Sequence, residues 1–557
     1  MAQLTGISDA PPAPQPISGH PASRFTAGDY FDVSRTSLPP PTPPPSSSSS
    51  SSSSKDRSRP LQHHFSIESK QFSGAALKKL ATPSPDSVVI PLGAGRPSAD
   101  LFPWDCSSPA EAHRFVLKDA VAYDLSSVLD YGHAEGSPQL LRFVREHVNT
   151  IHNPPYADWA TCLSSGSTSA LEIALRIFCN RGDAILTEHY TYLGFIEVAG
   201  LTGLATHGVT MDEGGIRPES LRGMLHDWDE KLQNTKRPSV LYTIPSGQNP
   251  TGATQTHKRK QEIYDIAEQF DLVIIEDDPY YFLQLDSPTT TTTTTTTTIP
   301  QTRDVAINGN MHPARYSRDD ATASFAGNLI PSYLSLDKSG RVVRLDSASK
   351  ILAPGLRIGW VTANDSIIDK FVSYHEVCTA FPSGPSQLML FNLLREDWGH
   401  QGFIGWLASL SLRYRERRDI LLQACRHHLP GDICSWDMPT RGMFVWIRVD
   451  LGSHPCLVSG TEELKSLDCS AIDGRIMTRA FENGVQVTNG SLFEASPSSS
   501  SPQGCRGAVF FRLAFAAATD AALVTGVQLF AQAVRDEFTH GAPQEPSEAS
   551  SLSAALP

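Results

Sequence analysis

The chain has 557 residues, too many for one core of ordinary size, so a large domain, a smaller one and some unstructured sequence are expected. Its 59 acidic residues outnumber 46 basic ones for a formal net charge of -13, which argues against nucleic acid or an anionic membrane as partner, since both attract excess Lys and Arg. Nine cysteines without CxxC spacing, an odd number, exclude a full set of internal disulfides and suggest reduced thiols with no metal site.

Residues 1–62 are rich in Pro and Ser, including the serine tract 46–54, and predict a disordered tail. The start of the chain has no charged segment followed by an apolar core and a cleavage site, and Arg24 is the only arginine in the first 25 residues. No stretch approaches the roughly 20 apolar residues that span a bilayer, so a cytoplasmic protein is expected. Residues 63–110 are assigned to an N-terminal arm and part of the smaller domain.

From 111 to 370 strand-like runs alternate with helical patterns, and these residues are assigned to the large domain. Strands are expected at 160–164, 183–187, 240–244, 272–275, 342–345 and 358–362, with helices at 167–179 and 256–270. Wholly apolar strands alternating with helices predict an α/β fold whose mostly parallel sheet is sandwiched by helices, with functional residues at strand carboxyl ends. The segment 287–326, which contains the threonine tract 289–298, reads as a disordered surface insertion. Residues 371–540 predict a smaller α+β domain completed by the other end of the chain. It has a long helix around 406–428, strands at 443–449, 485–487 and 509–515, and helices at 471–482 and 520–538. Residues 497–504 read as a shorter insertion and 541–557 as a disordered tail.

The strand ends carry the chemistry. Lys350 closes the run Ser347-Ala348-Ser349-Lys350, and Arg357 follows seven residues later. A lysine among small hydroxyl residues, with an arginine close by, suits pyridoxal phosphate: the amine bonds the aldehyde, and the serines and guanidinium hold the phosphate. Ser167 and Thr168 open a helix after a strand, where free amides also favour a phosphate; as an alternative they are ordinary caps. Asn249, in the turn-forming Asn249-Pro250-Thr251-Gly252, follows another strand. Asp277 ends a buried strand, where a carboxylate is costly unless it meets a cation such as a protonated pyridine nitrogen, and Tyr280 follows three residues on. Tyr192 and Tyr131 are either ring-stacking or packing aromatics. Arg512, inside Phe510-Phe511-Arg512-Leu513, needs a carboxylate partner, either a substrate's or one in a structural ion pair.

The order of these segments resembles the fold-type I pyridoxal phosphate enzymes of the class I/II aminotransferases. Within them it is most similar to the fungal aromatic amino acid aminotransferases and the kynurenine/2-aminoadipate aminotransferases. Besides the motifs above, Gly95-Arg96-Pro97, the run from Glu276 to Gln284 and Trp398-Gly399-His400-Gln401-Gly402-Phe403 carry the resemblance. It implies Lys350 as the cofactor-bonding lysine and proton shuttle, Asp277 on the pyridine nitrogen, Asn249 and Tyr280 on the ring oxygen, and Tyr192 stacked on the ring. It implies Ser167, Thr168, Ser347, Ser349 and Arg357 on the phosphate, with Tyr131 arriving from the other subunit of a homodimer with shared active sites. Arg512 would hold the substrate carboxylate near Gly95 and Asn249, and Lys78 aligns with a basic residue that touches substrate in some relatives.

The implied reaction passes an amino group from an aromatic amino acid (tryptophan, phenylalanine or tyrosine) to a 2-oxo acid such as 2-oxoglutarate. Alternatives are a 2-aminoadipate/kynurenine aminotransferase or a carbon-sulfur lyase of secondary metabolism on the same fold. Departures from the family pattern, Ala94, Ala348 and Asn489, alter pocket shape without removing a catalytic group. A cofactor-sensing transcription regulator would need a basic helix-turn-helix before residue 65, and the Pro/Ser tract there has no helical periodicity.

Overall fold

A computed structural model describes residues 89–104, 128–285, 324–455, 462–495 and 507–540. Seven strands form the main sheet: β1 (Trp159–Ser164), β2 (Ala184–Glu188), β3 (Ala205–Val209), β4 (Val240–Thr243), β5 (Val273–Asp277), β6 (Val342–Ser347) and β7 (Gly359–Asn364). Their spatial order is β1-β7-β6-β5-β4-β2-β3. Every pair from β3 to β6 is parallel, and β7 alone runs against its two neighbours β1 and β6. β2, β4 and β6 are buried along their whole length, as strands covered on both faces must be.

Helices supply the cover. α1 (Pro138–Ile151) starts at Ser137, whose hydroxyl accepts from Leu140 N, with Pro138 in the first turn where a missing N–H costs nothing. It buries Leu140, Leu141, Phe143, Val144 and Val148, an apolar stripe at helical spacing. α2 (Ser167–Phe178), α3 (Leu193–Thr202), α4 (His257–Phe270) and α5 (Asp365–Cys378) follow. Thr256 caps α4 by accepting from Arg259 N at 3.2 Å.

A second, antiparallel sheet has the order β8-β9-β11-β10, from β8 (Cys434–Ser435), β9 (Phe444–Asp450), β10 (Thr488–Asn489) and β11 (Ala508–Ala514). It packs with the long α6 (Gly399–His428), with α7 (Glu462–Glu482) and with α8 (Asp520–His540). No helix among the described residues is long and apolar enough to cross a membrane. Cys162, Cys179, Cys378, Cys425 and Cys434 are all unpaired.

Three expectations are corrected. The strand expected at 272–275 extends to Asp277, which places Glu276 and Asp277 inside the ladder opposite Arg344 and Leu345. The strand expected at 485–487 is not one: the backbone of 484–486 bonds residues 90 and 93 instead, through Ile90 N to Gly484 O (3.0 Å), Gln486 N to Ile90 O (3.0 Å) and Gly93 N to Gln486 O (2.6 Å). The ladder with β11 begins only at Thr488. Residues 324–327 are helical and Phe325 packs on the core, so the last residues assigned to the long insertion are ordered. The expected tails, most of that insertion, the segment 497–504 and Lys78 lie outside the described residues.

Candidate active site

Register brings the site together. Ser164 at the end of β1 and Ser347 at the end of β6 both pair with Gly359 at the start of β7. The turns after β1 and β6 and the turn before β7 therefore meet at one edge of the sheet. Gly166, at φ +90°, turns the chain into α2; a Cβ there would lie 2.3 Å from Arg357 Nη2. Arg357 itself is left-handed (φ 50°) and donates from Nη1 to Ser349 Oγ (3.2 Å) and Pro354 O (3.0 Å) and from Nη2 to Ser165 O (3.4 Å). A guanidinium and two hydroxyl residues, Ser167 and Thr168, thus sit at the amino end of a three-turn helix, a setting that attracts an anion.

Deeper in, β5 delivers Asp277. Its Oδ2 accepts from Tyr242 Oη at 2.8 Å, while Oδ1 is buried without a partner. Burial raises this carboxyl to about 7; the Tyr242 hydroxyl and Lys350 oppose the rise, and Asp278 and Asp346 add to it. Lys350 Nζ donates to Gly95 O at 2.6 Å. Burial, then Arg512 and Arg357, depress the Lys350 amine to about 8. Asn249, before a cis proline, lies beside the phenol of Tyr280, whose ring packs edge-on to Phe444 at 5.6 Å. Burial, the largest influence, holds the Tyr280 phenol above its usual range. Tyr192, just before α3, lies beside Thr168, and its phenol is likewise raised by burial.

β11 carries Arg512 as its one inward cation. Phe511 and Leu513 face the core, whereas Arg512, paired with Trp446 and Thr488, points to the opposite side and is 1% exposed. Its guanidinium lies between the rings of Phe444 (4.6 Å) and Phe493 (4.7 Å), donating to Asn249 Oδ1 at 2.7 Å and Gly93 O at 2.6 Å. Nε has no partner. No carboxylate pairs with Arg512 among the described residues, which removes the structural ion pair as its explanation there. Burial without an anion lowers the group to about 10.

These groups line one cavity of about 270 Å³, bounded by Gly95, Ser167, Thr168, Tyr192, Ile244, Asn249, Asp277, Pro279, Tyr280, Ser347, Ser349, Lys350, Pro354, Arg357 and Arg512. All the candidate residues read from the sequence are there except Lys78 and Tyr131. Tyr131 is 87% exposed, edge-on to Phe381, and outside its own chain's cavity. Sequence reading missed Tyr242, Phe444 and Phe493, which lie in apolar-looking runs and act only through long-range contacts. Ile244 and Pro279 flank motifs that were noticed.

The donor set fits pyridoxal phosphate. A buried amine and a carboxylate with one orphaned oxygen belong to residues of the same cavity lining, as a ring with an aldehyde and a protonated nitrogen requires, and the Gly166 turn provides an anion cradle a Cβ would fill.

A family profile described as aminotransferase class I and II matches residues 87–528. The chain is 43% identical to the aminotransferase swnA of Arthroderma benhamiae, over 86% of this chain and 91% of that one. It is 36% identical to an aromatic amino acid aminotransferase of Schizosaccharomyces pombe, over 86% and 98% of the two chains. The crystal structure of the aminotransferase Aro8 from Candida albicans superposes with a TM-score of 0.65 at 34% identity, covering 87% of this chain and all of that one.

Proposed function

Because the chain belongs to the class I and II aminotransferases, pyridoxal phosphate enzymes of fold type I, we propose that it transfers the amino group of an aromatic amino acid to a 2-oxo acid, either 2-oxoglutarate or an aromatic one. The apolar surface of the cavity carries the choice of donor substrate. Its described lining has three cations, Lys350 to bond the cofactor, Arg357 among the hydroxyls of the phosphate cradle and Arg512 for the α-carboxylate. Tyr192, Tyr280 and Ile244 add apolar surface that suits an aromatic side chain. The aromatic amino acid aminotransferase of Schizosaccharomyces pombe supports the same reading.

Pyridoxal phosphate, held here by Lys350 between turnovers, would supply an electron sink for the carbon that bears the substrate's amino group. The protein's share is orientation and proton handling. Arg512, within reach of the Phe444 and Phe493 rings, would grip the α-carboxylate in a two-pronged contact and so orient the α-carbon. The Lys350 amine, when not bonded to the cofactor, would serve as the base that takes the proton from the α-carbon and as the acid that gives it back. An amine lowered to about 8 is a competent base near neutral pH. Asp277 Oδ1 holds the proton on the ring nitrogen, Asn249 and Tyr280 steady the ring oxygen, and Tyr192 covers the ring face. Ser167, Thr168, Ser347, Ser349 and Arg357 hold the phosphate, and Tyr131 reaches the phosphate of a second copy in a homodimer.

Purified holoenzyme offered tryptophan, phenylalanine, tyrosine, kynurenine and 2-aminoadipate with 2-oxoglutarate as acceptor tests the proposal. Glutamate formation is expected to be fastest with an aromatic amino acid. A preference for 2-aminoadipate would overturn the substrate assignment.

A further inference from the structure

We propose that Tyr242 is a positioning residue for the reaction: its phenol O–H holds Oδ2 of Asp277 so that Oδ1 is the one carboxylate oxygen presented to the cofactor's ring nitrogen. The inference rests on the role assigned to Asp277 above. Tyr242 sits on β4, hydrogen-bonded in register to Ile275 of the neighbouring β5, and its Oη reaches Asp277 Oδ2 at 2.8 Å. The ring is wholly buried and stacks on Phe195 of α3, with centroids 4.0 Å apart and planes 2° from parallel. A phenol clamped in this way has no room to swing, so its hydroxyl fixes the carboxylate's rotation. Tyr242 does not itself line the cavity, whereas Asp277 does, with Oδ1 buried and unpartnered. The aromatic pair therefore acts through Asp277.

The charges around the carboxylate give the device a second effect. Facing Asp277 are Tyr242 on β4, Asp278 beside it, Asp346 on β6 and Lys350 in the following turn. Tyr242 in turn faces Glu188 of β2 and Tyr192 before α3. Burial and two carboxylates oppose ionisation of Asp277; the Tyr242 hydrogen bond and Lys350 favour it. Removing the hydroxyl thus moves Asp277 toward the protonated form, in which it no longer offers a negative charge to a protonated ring nitrogen.

Tyr242→Phe keeps the ring and its stack on Phe195 and deletes one oxygen. Two readouts apply: the pyridoxal phosphate Kd from titration of the apoenzyme, and the acid limb of kcat/KM in the holoenzyme, each compared with wild type and Asp277→Asn. The Kd is expected to rise about tenfold, the scale of one hydrogen bond to a charged group, and the acid limb to move to higher pH. Wild-type Kd and acid limb in Tyr242→Phe, while Asp277→Asn shifts both, would overturn the positioning role. Asp277→Asn leaving both unchanged would instead overturn the assignment of Asp277. If Tyr242→Phe does not fold, Phe195→Leu, which frees the ring but keeps the hydroxyl, decides by the same criteria with smaller expected shifts.

Discussion

Burial pushes Asp277 up to about 7 and Lys350 down to about 8, so two groups of opposite charge line one cavity with both charged forms disfavoured. In the cofactor-free enzyme this costs stability with a definite pH signature. The folded Asp277 binds its proton more tightly than the unfolded one, so its contribution is fully present below pH 4 and is lost as pH rises through 7. The loss is on the order of 4 kcal/mol, at about 1.36 kcal/mol per pKa unit. Asp277→Asn apoenzyme is therefore expected to melt higher than wild-type apoenzyme at pH 8, with the difference vanishing near pH 4 in calorimetry. Arg512 gives a second prediction at this scale. Arg512→Gln should lower kcat/KM for the amino acid on the order of 100- to 1000-fold, as when one member of a buried charge pair is truncated. Arg512→Lys should recover little, because an ammonium cannot make the two-pronged contact. Steady-state kinetics measure both. Lys350, Asp277 and Arg512 were legible in the sequence because a charged residue in an apolar strand or at its end needs a reason. Tyr242 was not, since a tyrosine in Val-Leu-Tyr-Thr reads as ordinary strand filler until the neighbouring strand shows what its hydroxyl meets.

Among the elements, the turn into α2 is tightly constrained. Gly166→Ala puts a side chain at φ +90° and a Cβ 2.3 Å from Arg357 Nη2, so the guanidinium must leave its place in the proposed phosphate cradle. Strain of about 1–3 kcal/mol and a weakened cradle should raise the pyridoxal phosphate Kd at least tenfold in apoenzyme titrations. Beneath the same sheet edge, the wholly buried Arg344 of β6 contacts Glu276 (3.2 Å), Asp278 (3.7 Å) and Asp346 (2.8 Å), with Tyr281 under its guanidinium at 4.7 Å. Arg344→Met would leave three buried carboxylates without this cation, so a loss of about 3–5 kcal/mol or more in chemical unfolding is expected. The periodicity of buried runs located β1, β2, β4, β5, β6 and β7 to within a few residues. It did not locate the short β10, because Val485 and Val487 are as apolar as any strand and only the competing backbone of residues 90–93 shows where the ladder begins.

At the scale of the whole molecule, alternation of strand and helix made the mostly parallel sheet legible, and the changed pattern after Phe371 marked a second sheet. Which strand runs against the others was not legible, since β7 is as apolar as its neighbours and its direction follows from the short turn after Lys350. Joining the two sheets' chemistry depends on distant pairs: Lys350 with Gly95 O and Arg512 with Asn249 and Gly93 O are each more than 250 residues apart in sequence. Tyr131 belongs to this scale too. It stands exposed at 87% with Leu129 at 68% nearby, and in the proposed homodimer it meets the partner's phosphate cradle. Sedimentation should give twice the 60.5 kDa chain mass, and Tyr131→Ala should weaken cofactor binding without changing the fold. A monomer with full cofactor affinity would contradict that arrangement.

The proposed enzyme bonds its cofactor through Lys350, in a cavity that Asp277, Arg357 and Arg512 also line. Reducing the holoenzyme with borohydride, digesting it and locating the pyridoxyl-modified residue by mass spectrometry tests that bond. The label is expected on the peptide containing Ser347-Ala348-Ser349-Lys350, on Lys350 Nζ alone, and none in Lys350→Ala. A label on another lysine, or an unchanged label in that variant, would contradict it.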